Sequence, residues 1–286
     1  MGYMTYIVHG ATGAQGAPVL SALKAAGRQA VAAVRTPSEA TGVAVDLADA
    51  DALSAAYAGA EGVFVHLPMG SPGRMLAYAK AISKAVATAR PGRVVISTSG
   101  QIVDQPGTPL QAPDESPIAT LIRDVTATGV STAVVAPRLY LENLLLPVVV
   151  GPARDQGVLR YPLPESFPVS WSSHLDVADA VVRLLTDSAV TGTVAVGHLP
   201  GLTGTALADG FSEHLGRDVR FEAITPVHFG ELIAPLFGVD AASSVTGLYQ
   251  ALNEQASNTI AEANSAQALL GLPPRSVPAW LNALDV

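Results

Sequence analysis

The chain has no cysteine among its 286 residues, so disulfide bridges and thiolate metal sites are excluded. Charged residues are also scarce: they make up 14% of the sequence, with 16 lysines and arginines against 24 aspartates and glutamates. A net charge of −8 argues against a protein that binds nucleic acid or an anionic membrane surface by neutralising phosphates. The sequence therefore predicts no nucleic-acid partner, and an anionic ligand has to be held by a local site.

Long apolar runs are missing as well. The most apolar stretch, residues 134–150, is interrupted by Arg138, Glu142, Asn143 and two prolines, so no membrane span or membrane partner is predicted. The first strand is predicted to start almost at Met1, which leaves no room for a cleavable leader, and a cytoplasmic location is expected. The histidines lack the spacing of metal ligands, so no metal site is predicted, and the sequence leaves a homodimer open.

Strand and helix patterns alternate along the first two thirds of the chain. Short β-branched runs predict strands at 3–8, 30–34, 43–45, 62–66, 93–97 and 131–136, and helical spacing predicts helices at 17–26, 50–57, 75–89 and 118–128. This order is typical of an α/β fold with a doubly wound parallel Rossmann sheet. A further helix at 176–185 and a strand near 194–196 continue the pattern.

Beyond Gly151 the composition changes, and a proline-rich segment at 161–168 has the pattern of a hairpin. We expect a cofactor-binding core at 1–155, to which residues 172–197 return. A smaller C-terminal substrate lobe is expected at 156–171 and 198–286.

The motif Gly10-Ala-Thr-Gly13-Ala-Gln-Gly16 lies between the first predicted strand and the first predicted helix. In such turns the first glycine permits a tight turn, the middle one lets a phosphate approach the backbone, and the third lets helix pack on strand. The amide groups and dipole of the helix N-terminus then attract a pyrophosphate. The sequence predicts that a dinucleotide is bound here by Gly10, Thr12, Gly13, Ala14, Gln15 and Gly16.

Arg35 stands after the second strand, where an NAD-binding protein carries an acidic residue for the ribose 2′-hydroxyl. A guanidinium suits the 2′-phosphate of NADP(H), which favours NADP(H) over NAD; a solvated arginine at a strand end is the alternative. Asp46 and Leu47, after the third strand, are expected to border the adenine, and a helix cap is the alternative for Asp46.

Further candidates follow the later strands, because ligands of doubly wound sheets bind at the carboxyl ends of the strands. Contacts to the cofactor are expected from His66, Leu67, Pro68, Ser97 and Pro137. At His66, Leu67 and Pro68 we expect the backbone to contact the dinucleotide, rather than the His66 imidazole to transfer a proton. Ser99 and Tyr140 are the candidate catalytic residues that orient the substrate. The alternative for the serines is that they only form hydrogen bonds with the backbone. The alternative for Tyr140 and Asn143 is that they belong to the hydrophobic core. For His174, Asp176 and Asp179, helix capping competes with chemistry.

These motifs resemble the NmrA-like branch of the atypical short-chain dehydrogenase/reductase family over nearly the whole chain. The resemblance is carried by His9–Gly16, Val34-Arg35, Asp46-Leu47, Ala136–Asn143 and His174–Asp179. It implies a Rossmann core with a small C-terminal substrate lobe and a preference for NADP(H). Members of this family are divided between reductases and regulators that sense the cofactor.

The Tyr-x-x-x-Lys pair of ordinary short-chain dehydrogenases is absent, because Lys24, Lys80 and Lys84 all precede the fifth strand. In that pair, lysine lowers the tyrosine pKa so that the phenol can protonate a carbonyl. The first hypothesis is therefore an NADPH-dependent oxidoreductase that reduces a quinone, or another activated carbonyl or enone, without this pair. The second is a non-catalytic NADP(H)-sensing regulator that binds a protein partner. An isomerase or dehydratase that returns the hydride internally is a third.

Overall fold

The structure is a computed structural model that describes residues 5–35 and 42–285. Tyr3, the first residue of the first predicted strand, lies outside these residues. The strands are β1 (Thr5–His9), β2 (Gln29–Val34), β3 (Gly42–Ala44), β4 (Gly62–His66), β5 (Val94–Ser97), β6 (Thr132–Pro137), β7 (Val158–Tyr161), β8 (Gly192–Val196) and β9 (Arg220–Ala223).

The helices follow the same alternation. They are α1 (Gly16–Ala25), α2 (Ala50–Tyr57), α3 (Pro72–Ala89), α4 (Pro117–Ala127), α5 (Pro147–Gln156), α6 (His174–Thr186), α7 (Gly204–Leu215), α8 (Pro226–Phe237), α9 (Val239–Asn253), α10 (Ala266–Leu270) and α11 (Val277–Ala283). Short 3₁₀ helices occupy Leu141–Leu145 and Glu262–Asn264. In the part of the chain that the structure describes, no helix combines the length and apolarity that a membrane crossing requires.

Seven strands of the described residues form one parallel sheet in the order β3-β2-β1-β4-β5-β6-β8. The strand order reverses between β1 and β4, which opens a crevice at the carboxyl ends of these two strands. The predicted Rossmann fold is confirmed. In the register of the sheet His9 lies beside Ala33, and His66 lies beside Ser97.

The core of the sheet follows from its apolar strands. All four residues of β5 are buried, as expected for a parallel strand covered on both faces. On one face Leu53, Ile82, Ile118 and Leu121 from α2, α3 and α4 join strand residues in a single buried cluster. Each of these side chains contributes about 1.5–3 kcal/mol by leaving water. This packing holds the strand ends, and hence the loops that follow them, in place.

The described chain forms two compact units. The first comprises the described residues up to Pro137 with His174–Val196 and Ala263–Leu272, and it contains the seven-stranded sheet. The second comprises Arg138–Ser173, Gly197–Glu262 and the described residues from Pro273 onward. Residues 138–155 therefore cluster with the second unit, and the division into a cofactor core and a substrate lobe stays a prediction.

The second unit contains a two-stranded parallel sheet in which β7 pairs with β9. The hairpin pattern at 161–168 was a wrong interpretation, because the partner of β7 lies about sixty residues further along the chain. Aromatic rings fill the core beside this sheet: Tyr161 makes edge contacts with Trp171 and Tyr249 and a tilted contact with Phe229. The phenol groups of Tyr161 and Tyr249 are hydrogen-bonded to each other.

Candidate functional site

A cleft of about 490 Å³ opens in the first unit around the glycine turn. It is lined by His9, Gly10, Thr12, Gly13, Ala33, Val34, Arg35, Val45, Asp46, Leu47, His66, Pro68, Met69, Arg74 and Tyr78. Eight of the predicted cofactor residues are among these: Gly10, Thr12, Gly13, Arg35, Asp46, Leu47, His66 and Pro68. The other predicted cofactor residues, Ala14, Gln15, Gly16, Leu67, Ser97 and Pro137, are not part of its lining.

The glycine turn is a compact loop between β1 and α1. Gly10 has a φ of 61°, and its carbonyl oxygen accepts a hydrogen bond of 2.8 Å from the Gly13 amide. Residues with a side chain rarely adopt this left-handed backbone conformation, so the backbone itself requires glycine at position 10. A Cβ at Gly10 would also lie 2.2 Å from Nε2 of His66.

Gly16 begins α1 and lies against the end of β1. A Cβ there would lie 2.3 Å from the carbonyl oxygen of Gly10 and 2.5 Å from that of His9. Gly13 differs, because a Cβ would meet only the Gly10 oxygen, at 3.3 Å, and the residue is exposed on the cleft. Contacts within the protein therefore require glycine at positions 10 and 16. At Gly13 they leave room for a side chain, and this open space faces the cleft.

The N-terminus of α1 carries no side-chain cap and no acidic residue in its first turn. The side chain of Gln15, which occupies the cap position, instead bridges Ser97, the last residue of β5, and Ser99. Its Nε2 donates to Oγ of Ser99 at 3.0 Å, and its Oε1 accepts from the Ser97 hydroxyl at 2.9 Å. The structure thus brings together Gln15, Ser97 and Ser99, which sequence reasoning had placed in the site separately.

The two serines have different roles in this bridge. Ser97 is fully buried, and its hydroxyl donates to Gln15 while its oxygen accepts from the Ser99 amide at 3.2 Å. Ser99 accepts from Gln15 and keeps its own proton for a further partner. Ser99 also has a φ of 54°, a conformation that costs a non-glycine residue about 1–2 kcal/mol. The surrounding contacts hold this strained residue at the end of β5.

His66 ends β4 with its ring directed at the glycine turn. Its Nε2 is buried and has no hydrogen-bond partner within the described residues, whereas the ring is hydrogen-bonded to the Leu67 backbone. Burial lowers the pKa of His66 below its usual value. The ring is therefore neutral near pH 7, which disfavours His66 as a general acid and leaves a buried polar atom beside the cleft.

Two further histidines of the first unit are His9, which is buried, and His174, which is half-buried. Burial and then the charge of His66 lower the pKa of His9 to about 3 and that of His174 to about 4. The Nε2 atom of His9 is hydrogen-bonded to the Tyr57 hydroxyl at 2.7 Å. No group of His, Asp and Glu in the described ranges is arranged to hold a metal ion.

Acid is expected to destabilise the protein through His9. Between pH values of about 6.5 and 3 the unfolded chain binds a proton at this histidine that the folded chain does not bind. The free energy of unfolding should thus fall as the pH is lowered, by about 1.4 kcal/mol per pH unit for this one group. Urea titrations at pH 7.5 and 5 should show a smaller difference in His9→Gln than in the wild type. If His9→Gln shows the same difference between the two pH values as the wild type, this assignment is wrong. His228→Gln, at an exposed position, is the control and should behave like the wild type.

Arg35, Asp46 and Leu47 lie together at the β2–β3 side of the cleft. One carboxylate oxygen of Asp46 accepts from the Ala48 amide at 2.9 Å, which stabilises a local turn. The cap of α2 is Asp49, which accepts from the amides of Asp51 and Ala52. The helix-cap alternative for Asp46 was therefore wrong, and Asp46 remains a lining residue of the cleft.

Tyr140 and Asn143 belong to the second unit. Tyr140 is half-buried and directly precedes the 3₁₀ helix at Leu141–Leu145. The Asn143 side chain is hydrogen-bonded to both Tyr161 and Tyr249, so it takes part in the aromatic core of this unit. In the first unit α6 begins at His174 and has Asp176 in its first turn, where a carboxylate complements the helix dipole.

Sequence reasoning missed His9, Met69, Arg74 and Tyr78 as lining residues. Arg74 and Tyr78 lie one helical turn apart on α3, which follows β4 directly. Since β4 neighbours β1 at the strand-order reversal, polar or aromatic residues in the first turns of the helix after β4 were a usable signal.

The model of the NmrA-like family matches residues 4–280. The chain belongs to the NmrA-like family. No curated protein sequence matches this NmrA-like chain. Its fold is nevertheless shared with several solved structures of low sequence identity.

Triphenylmethane reductase of Citrobacter sp., complexed with NADP(H), has a TM-score of 0.79 at 16% identity, and the match covers 98% of this chain and 100% of that one. The NADPH-dependent quinone oxidoreductase of Escherichia coli, complexed with NADPH, has a TM-score of 0.73 at 18% identity, and the match covers 99% of this chain and 100% of that one. A nucleoside-diphosphate-sugar epimerase of Staphylococcus aureus has a TM-score of 0.74 at 16% identity, and the match covers 97% of this chain and 99% of that one. These proteins differ in the reactions that their names state, so the shared fold does not select one reaction.

Proposed function

We propose that this NmrA-like protein binds NADP(H) in the cleft and reduces a quinone, or another activated carbonyl or enone, by hydride transfer. The observation that carries the proposal is the glycine turn. Its open side at Gly13 faces the cleft at the uncapped N-terminus of α1, where a pyrophosphate is stabilised by amide groups and the helix dipole.

Three further features support a dinucleotide. The cleft has a size that suits an extended small ligand, at about 490 Å³. Arg35 provides a cation at the end of β2, where the 2′-phosphate of NADP(H) is expected. The buried Nε2 of His66 supplies a polar group that a bound ligand can satisfy. The NADP(H) complexes of the two structurally similar reductases agree with this choice of cofactor.

When bound, the nicotinamide supplies a hydride, and the chain supplies orientation and a hydrogen-bond donor for the acceptor oxygen. We assign this hydrogen-bond donor to the Ser99 hydroxyl, because its oxygen is held by Gln15 and its proton is left to donate. Ser97 acts through Gln15 and is a positioning residue. An alcohol is too weak an acid to give up its proton fully, so this arrangement suits an acceptor whose reduction yields a weakly basic anion that water can protonate, such as a quinone. Tyr140 stays a second candidate for orienting the substrate.

The regulatory alternative is favoured by a different observation. Exposed apolar side chains gather on α8 and α9 of the second unit, among them Phe237, Val239 and Leu248. A surface of this kind suits contact with a protein partner. In that case the cleft would bind NADP(H) without turnover.

One experiment separates the two functions. NADPH binding is measured by fluorescence titration, and NADPH oxidation is then followed by its absorbance with a panel of quinones, enones and simple ketones. We expect binding, oxidation with quinones and enones, and little or no oxidation with ketones. Binding without oxidation by any acceptor would contradict the reductase and favour the regulator, and a lack of binding would exclude both.

A further inference from the structure

Two arginines that have no partner among the described residues line the same cleft. Within the described residues, neither Arg35 nor Arg74 makes an ion pair or a hydrogen bond. This is notable in a chain with only 16 basic residues and a net charge of −8. Other arginines are bonded: Arg93 binds Ser131, and Arg160 pairs with Glu222.

The two cations come from different elements. Arg35 follows β2, whereas Arg74 is the third residue of α3. The side chain of Arg74 lies over the loop before α3, because a Cβ at Gly70 would be 3.7 Å from its Cδ. Tyr78, one turn further along α3, lines the cleft as well. The first two turns of α3 therefore present a guanidinium and a phenol ring to the cleft.

The charges that line the cleft favour an anion with high charge density. Among the described residues of the lining Asp46 is the single carboxylate, and one of its oxygens is already bonded to the Ala48 amide. Two guanidinium groups that share a cleft repel each other weakly unless an anion lies between them. A phosphomonoester carries close to two negative charges and offers three acceptor oxygens, so it can engage both groups.

We propose that Arg74 is a second specificity-determining residue, which together with Arg35 binds the 2′-phosphate of NADP(H). The inference rests on the proposed function, and it adds the residue on α3 that makes the site selective. The ribose of NADH carries a hydroxyl at this position, which has no charge for either guanidinium to bind. Tyr78 then flanks the adenosine end of the same ligand.

The test compares ligands that differ only in this phosphate. Dissociation constants are measured for NADPH and NADH, and for the fragments 2′,5′-ADP and 5′-AMP, with the wild type and Arg74→Met. Methionine keeps the apolar stem and removes the charge. We expect NADPH and 2′,5′-ADP to bind about tenfold more weakly, and NADH and 5′-AMP to change less than about twofold.

Lys80→Met is the matched control, because Lys80 is an exposed cation on the same helix and does not line the cleft. It should leave the ratio of NADPH to NADH affinity unchanged. If Arg74→Met leaves this ratio unchanged while the wild type binds NADPH, the role of Arg74 is wrong and the proposed cofactor stands. If the wild type binds none of the four ligands, the proposed cofactor is wrong and the inference fails with it.

Discussion

Gly13→Val is expected to weaken the binding of both NADPH and NADH by about a hundredfold or more while the protein stays folded. A Cβ at this position would meet only the Gly10 oxygen, at 3.3 Å, so the fold tolerates a side chain there with a small adjustment. The methyl groups of valine would extend into the cleft at the N-terminus of α1. They would fill the space through which a pyrophosphate approaches the backbone amides.

The readouts are the dissociation constants of both nucleotides and the free energy of unfolding in urea. The latter should change by less than about 1 kcal/mol, as for most exposed substitutions. Gly247→Val is the control, because Gly247 is exposed in α9 and a Cβ there has no neighbour within 4 Å. Unchanged nucleotide affinity in Gly13→Val would show that no phosphate approaches this turn.

The sheet and its helices were largely predictable from the sequence. The helix at Ala50–Tyr57 and the strand at Gly62–His66 were predicted with the bounds that the structure has. Buried parallel strands and their crossover helices are local patterns, because each apolar run is short and is followed by turn residues. The parallel order then follows from the alternation itself.

The second unit was not predictable in the same way. Its sheet pairs Val158–Tyr161 with Arg220–Ala223, two strands whose association depends on the packing of all residues between them. Local patterns carry no information about such distant partners. The prolines at 162, 164 and 168 therefore looked like a hairpin, although they belong to a loop.

The position of the cleft was predictable from the sequence, but only some of its lining residues were. Strand ends identified Gly10, Arg35 and His66, because the carboxyl edge of the sheet is fixed by the topology. Arg74 depends on how α3 is rotated about its axis, which is set by its buried face against α2 and α4. The bridge from Gln15 to Ser97 and Ser99 joins residues more than eighty positions apart, and no local pattern indicates it.

Gly10→Ala is expected to lower the free energy of unfolding by about 2–5 kcal/mol, and His66→Ala should restore part of this loss. Two effects add at Gly10. An alanine at a φ of 61° costs about 1–2 kcal/mol, and its Cβ would lie 2.2 Å from Nε2 of His66. Overpacking of this kind costs about 1–3 kcal/mol when the neighbour cannot move. The His66 ring has little freedom, because it is largely buried, lies beside the Phe64 ring and is bonded to the Leu67 backbone.

A double-mutant cycle separates the two effects. The free energy of unfolding is measured in urea for the wild type, Gly10→Ala, His66→Ala and the double variant. Removing the imidazole leaves room for the new methyl group but does not change the backbone conformation. The double variant should therefore be more stable than the sum of the single effects predicts, by about 1–3 kcal/mol. Additive effects would mean that the ring swings aside freely, and the contact between β4 and the glycine turn would then not fix the shape of the cleft.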